Sequence, residues 1–143
     1  MKAKIKFEPT PKNFWEFYTS AIKPKLMEID LLLRCAEETV SVSETACALA
    51  VSSDEVKTIM AQNNISAIDS SNFLVIMKNG SSGICKLYQR ETECGSPYTY
   101  TREEISYIYD LDIDTVNSAC DRLGIKEATA FTLPKLFSQI SLP

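Results

Sequence analysis

The chain has 143 residues, a net charge of −4, and 45% apolar and 24% charged side chains. That suffices for one ordinary soluble domain or two very small ones, and four glycines disfavour a glycine-rich phosphate cradle or an all-β fold. There is no histidine to act as the usual base near neutral pH, and no G-x-S-x-G or Walker loop, so neither an enzyme nor a cofactor is expected.

Residues 1–11 place Lys2, Lys4 and Lys6 in alternation with Ala3, Ile5 and Phe7, the period of a short strand with one wet face. This is either a solvated edge or a basic arm that touches phosphates. Residues 13–22 predict a short helix capped by Asn13, rich in aromatics. Its Trp15 and Phe17 are candidates for a protein interface, and a homodimer through them is one expectation. Pro24 suits the first turn of a further helix over residues 24–38, with Leu26, Ile29, Leu33 and Ala36 on one stripe.

Residues 43–65 then read as helix, tight turn and helix. Ser43 is the expected first cap, Ala46 the small residue at the close approach, and Ala50 the turn. Leu49, Val51, Val56 and Ile59 face inward. Ser52 or Ser53 caps the second helix, with Asp54 in its first turn. After Ile65 the apolar run Phe73–Met77, the turn signal Asn79-Gly80 and the segment 84–89 together predict a β-hairpin.

Gly95, Ser96 and Pro97 mark a linker over residues 91–100. Thr101 with Glu104 predicts a capping box. Residues 103–125 repeat the earlier pattern sixty positions on: Ser106 stands at the small position, Asp110 at the turn, Asp112 at the cap, and Tyr109, Leu111, Val116 and Ala119 face inward. A closing helix is expected over residues 133–140. The resulting organisation is an arm and aromatic helix (1–23), a winged helix-turn-helix unit (24–90), a linker (91–100) and a second helix-turn-helix unit (101–143). The fold class is mainly α with a small β-hairpin.

The stretch Glu44-Thr45-Ala46-Cys47-Ala48-Leu49-Ala50-Val51-Ser52-Ser53-Asp54-Glu55-Val56 resembles the helix-turn-helix of excisionases and mercury-resistance-type regulators. Their rhythm E-x-A-x-x-L-x-V-S-x-x-x-V is met at each fixed position. The resemblance covers about twenty residues of each copy. It implies DNA binding through the second helix, often beside a β wing, and hence a transcription-regulator-like role. The second copy departs from it at Ser106 and Asp112.

On that reading duplex DNA meets Ser52, Ser53, Lys57, Thr58 and Gln62 on the second helix, and Lys78, Lys86 and Arg90 on the wing. Charge is uneven, however. Residues 1–34 carry +3, residues 35–90 carry −2 and residues 91–127 carry −6. Because DNA affinity comes largely from phosphate neutralisation, the second unit is expected to bind protein through Asp112, Asp114, Asn117 and Asp121. The alternative for the whole chain is an acidic protein-interaction module of antirepressor, polymerase-binding or DNA-mimic type that does not bind DNA.

The five cysteines are odd in number and lack C-x-x-C spacing, so reduced thiols in a cytoplasmic protein are expected, with no metal site. Cys47 and Cys120, on expected helices, are expected inside and Cys85 and Cys94 nearer the surface. No apolar run approaches the roughly 20 residues that span a bilayer, and residues 1–17 lack the apolar stretch of a secretory signal.

Overall fold

The computed structural model describes residues 11–35, 37–95 and 98–142, so Lys2, Lys4, Lys6 and Ala36 lie outside the described residues. A long N-terminal helix comes first: α1 (Phe14–Phe17), a π-helical turn (Tyr18–Ile22) and α2 (Lys23–Cys35). Asn13 caps it, its Oδ1 accepting from the Glu16 N–H at 2.9 Å. The chain continues through α3 (Val42–Leu49), α4 (Ser53–Gln62), α5 (Ser70–Lys78), α6 (Gly83–Glu93), α7 (Arg102–Tyr109), α8 (Ile113–Leu123) and α9 (Leu133–Ser138).

Among the described residues there is no strand, only three isolated bridges: Asn13 with Ser141, Val40 with Ile68 and Tyr100 with Ala128. This corrects the expected β-hairpin. Its two arms are helices α5 and α6. Phe73, Ile76 and Met77 are buried while Leu74 and Val75 are 40% and 37% exposed, which is the 3.6-residue period of a helix rather than the two-residue period of a strand. A five-residue apolar run does not by itself distinguish the two. Asp69 caps α5 by accepting from the Asn72 N–H at 2.8 Å. The supposed hairpin turn ends one helix and starts the next, Asn79 closing α5 and Ser82 capping α6. Gly80 is needed where the helices meet, because a Cβ there would overlap Cys85 Sγ.

The sixty-residue repeat is deeper than the sequence pattern alone. Capping boxes open α3 (Ser41 with Glu44) and α7 (Thr101 with Glu104); the first cap is thus Ser41, two residues before the expected Ser43. Ala50 and Asp110 occupy the left-handed region at φ 57° and 54°, and Asn64 and Gly124 do so at 55° and 67°. Val51 N–H donates to Ala46 O as Leu111 N–H donates to Ser106 O, at 3.0 and 2.9 Å. The bridges Val40–Ile68 and Tyr100–Ala128 also correspond. Phe73, Ile76 and Met77 of α5 match Leu133, Leu136 and Phe137 of α9, all buried. Even α2 and α6 start sixty residues apart.

The two halves close on each other. In the middle of the chain α6 packs on both α5 before it and α7 after it, and the N-terminal helix packs through α1 on α9 and through α2 on α3. The first helix therefore takes, against the last, the place that α6 takes against α5. Phe14 N–H donates to Ile140 O at 2.8 Å. An aromatic cluster fills the joint: Phe14 lies 4.7 Å from Phe137 and 5.9 Å from Tyr109 between ring centroids, both edge-on. Tyr109 and Phe137 are themselves 4.9 Å apart. Edge-to-face pairs at these separations add to ordinary apolar burial.

Candidate interaction surface

Helix α4 presents the polar face expected of it. Ser52 is the cap, its hydroxyl accepting from the Glu55 N–H at 3.1 Å, so the choice between Ser52 and Ser53 falls on Ser52. Ser53, Lys57, Thr58 and Gln62 are exposed, and Thr58 returns its hydroxyl to Asp54 O at 2.9 Å. The three cations assigned to a wing are differently placed. Lys78 is exposed near the end of α5, Lys86 is exposed on α6, and Arg90 is half-buried on α6. Arg90 Nε donates to Ile108 O at 2.8 Å. They form no β wing beside α4.

On α8, Asp112 caps the helix, its Oδ2 accepting from the Thr115 N–H and Oγ1 at 3.1 Å each. Asp114 is exposed in the first turn. Asp121 is ion-paired with Arg102 at 2.9 Å, and Asn117 Oδ1 accepts from the same arginine at 3.5 Å. Trp15 is half-buried and stacked on Tyr18 at 5.9 Å and 12°. Phe17 is 39% exposed at the edge of the aromatic cluster. Much of the aromatic surface expected to meet another protein is thus spent on the molecule's own closure.

A feature the sequence did not disclose is how the arginines are used. The chain has four, and each has an intramolecular partner. Arg34 pairs with Asp30 at 3.0 Å. Arg90 donates to Ile108 O. Arg102 reaches Ile125 O at 2.9 Å as well as Asp121. Arg122 reaches Gln139 O at 2.6 Å. Several of these carbonyls lie at or just past helix C-termini, where free acceptors await a donor. By contrast Asp110, Asp112 and Asp114 are exposed, and among the described residues the ion pairs involve only Glu28, Asp30 and Asp121 as acids.

Beside these aspartates lies a groove of about 930 Å³ between the N-terminal helix, α6, the α7–α8 turn and the segment 140–142. Its walls are mainly apolar, with Ile22, Leu87, Leu111 and Leu142 among them; Asp110, Asp112, Thr115 and Arg90 also line it. A second space of about 340 Å³ lies against Trp15, Tyr18 and Tyr100. Burial pushes the Tyr109 phenol far above its ordinary range, and those of Tyr18 and Tyr100 upward too, helped by the nearby Glu91 carboxylate.

The thiols reverse part of the expectation: Cys120 is buried as expected, but Cys85 is buried and Cys47 exposed, with Cys94 half-buried. Cys47 lies on the outward side of α3, whose inward face is taken by Thr45, Ala46, Ala48 and Leu49. Burial raises the Cys85 and Cys120 thiols above their ordinary value, the opposite of what an activated nucleophile needs. Among the described residues no three His, Cys, Asp or Glu side chains converge as a metal site, and no helix is long and apolar enough to cross a membrane. No family model, curated protein or solved structure matches the chain.

Proposed function

We propose that the protein is an acidic protein-interaction module built on a tandem helix-turn-helix plan, acting through its second half. The observation that carries this reading is the commitment of three of the four arginines, Arg90, Arg102 and Arg122, to main-chain acceptors, while Arg34 makes an exposed pair with Asp30 on its own helix. Arginine is the side chain suited to bidentate phosphate and guanine recognition. Here three guanidinium groups reach main-chain carbonyls near helix ends, while Asp110, Asp112 and Asp114 are exposed residues. A surface of that sign attracts a basic partner.

The transcription-regulator reading keeps the exposed face of α4, with Ser53, Lys57, Thr58 and Gln62, as its support. It has no hairpin to place Lys78, Lys86 and Arg90 on phosphates beside that face, and Arg90 is already engaged.

The test compares proteins captured from a cell extract by the full chain and by an Asp112→Asn/Asp114→Asn variant. Asn keeps the capping oxygen, so the variant retains its fold, as a melt will show. A partner held by the wild type and lost by the variant is expected. An identical captured set, or nucleic acid alone, refutes the reading.

A further inference from the structure

The two halves differ at one place that the repeat makes comparable. In the first half, the link between α5 and α6 is latched over the α3–α4 turn. Ser81 donates to the Glu55 carboxylate through its N–H at 2.8 Å and its hydroxyl at 2.7 Å. Ser82 donates its hydroxyl to Leu49 O at 2.6 Å. A backbone segment of the chain therefore covers that turn.

Sixty residues on, the same positions are Ser141, Leu142, Thr115 and Tyr109. Leu142 has no hydroxyl and Thr115 no carboxylate, so the latch cannot form. Segment 140–142 runs against residues 12–14 instead: Ile140 O accepts from Phe14 N–H, Ser141 bridges Asn13, and Leu142 N–H donates to Lys12 O at 3.3 Å. The α7–α8 turn is left facing the 930 Å³ groove. It is also the more acidic turn, with Asp110 and Asp112 where the first half has Ala50 and Ser52.

We infer that this groove receives a short extended segment of a partner polypeptide. The segment takes the role at the α7–α8 turn that residues 80–82 fill at the α3–α4 turn. It presents apolar side chains to Leu87, Leu111 and Leu142, and lysine or arginine to Asp110 and Asp112. The inference rests on the proposed protein-interaction function and names the chemistry of the partner.

The probe is a fluorescent hexapeptide, Lys-Ala-Lys-Ile-Lys-Phe, with a Glu-for-Lys counterpart as control, read by anisotropy on the full chain. Binding of the basic probe alone is expected. Asp110→Asn/Asp112→Asn preserves both the left-handed turn and the cap, and should weaken binding about fivefold, the effect of two exposed charges. Ala21→Trp, an exposed position on the groove wall, should abolish it.

Equal binding by Ala21→Trp would place the peptide outside the groove, overturning the inference while leaving the acidic-surface reading intact. Absence of binding to every form would overturn it as well. The order of the probe is also that of residues 2–7. Binding only by a chain lacking residues 1–10 would assign the groove to this chain's own N-terminal segment, overturning the separate partner. Ala21→Trp separates the two readings, because it fills the groove and leaves Asp112 and Asp114 in place: captured partners that survive it overturn the groove and not the acidic surface.

Discussion

Replacing Phe14 by alanine tests whether the N-terminal helix belongs to the core. Phe14 is 4% exposed and its ring meets those of Phe137, Tyr109, Phe17 and Tyr18 at centroid separations of 4.7 to 6.5 Å. Truncating a fully buried phenylalanine costs about 3–5 kcal/mol, because transfer free energy is lost and the cavity left behind relaxes only in part. The backbone bond from Phe14 N–H to Ile140 O survives the change, so the loss reports the ring alone. Phe17→Ala, at 39% exposure, is the internal control and should cost no more than about 1 kcal/mol. Equilibrium urea unfolding followed by circular dichroism measures both, with the slope expected to remain that of the wild type. A Phe14→Ala loss below about 1 kcal/mol, or a cost equal to that of Phe17→Ala, would refute closure of the first helix on the last.

The other expectations follow from the repeat and from the buried titrating groups. Ser41→Ala and Thr101→Ala each remove one side of a capping box and should each cost about 1 kcal/mol; a difference of several-fold between them in urea unfolding would argue against equivalent halves. Ala50 is exposed at φ 57°, so Ala50→Gly should stabilise by about 0.5–1 kcal/mol, whereas Gly124→Ala at φ 67° should destabilise by about 1 kcal/mol; thermal melts showing the same sign for both would contradict the turn assignments. Raised thiols at Cys85 and Cys120 and raised phenols at Tyr18, Tyr100 and Tyr109 mean that the folded chain holds these protons longer than the unfolded one. Their contribution is complete below the ordinary thiol value of 9.0 and is lost as pH rises through it and then through the phenol value of 10.0. Urea midpoints should fall progressively above pH 9, and a midpoint that rises there would contradict the burial of these groups.

The repeated pair of short helices joined by a tight turn is legible because its marks are local. Capping side chains and apolar residues at helical spacing recur sixty positions apart; Ser52 and Asp112 cap, Asp110 tolerates the left-handed turn and Ala50 holds the matching turn at a cost. The sequence points to a hairpin where there is none because Asn79-Gly80-Ser81-Ser82 is as good a junction between two helices as it is a reverse turn. The run from Phe73 to Met77 is also too short to reveal its period without knowing that Leu74 and Val75 face outward. The aromatic helix was seen, but its partner was not. Phe14 meets Tyr109 and Phe137 across almost the whole chain, and nothing near residue 14 announces that contact. The arginine commitments have the same character: the acceptors at Ile108, Ile125 and Gln139 are main-chain carbonyls, which carry no side-chain signature. The missing latch in the second half could have been suspected from Leu142 opposite Ser82 and Thr115 opposite Glu55, once the repeat was extended past the two short helices.

A surface built for a protein rather than for nucleic acid, as proposed, leaves duplex DNA unbound. Fluorescence anisotropy of a labelled mixed-sequence duplex, titrated with the full chain from low to moderate salt, tests it most directly. With Arg90, Arg102 and Arg122 engaged internally and Asp110, Asp112 and Asp114 exposed, the chain should show no binding at protein concentrations up to roughly 100 μM, the weak end of non-specific association. Binding at low salt that weakens steeply as salt is added would contradict the account and return Ser53, Lys57, Thr58 and Gln62 of α4 to the role of a DNA-reading face.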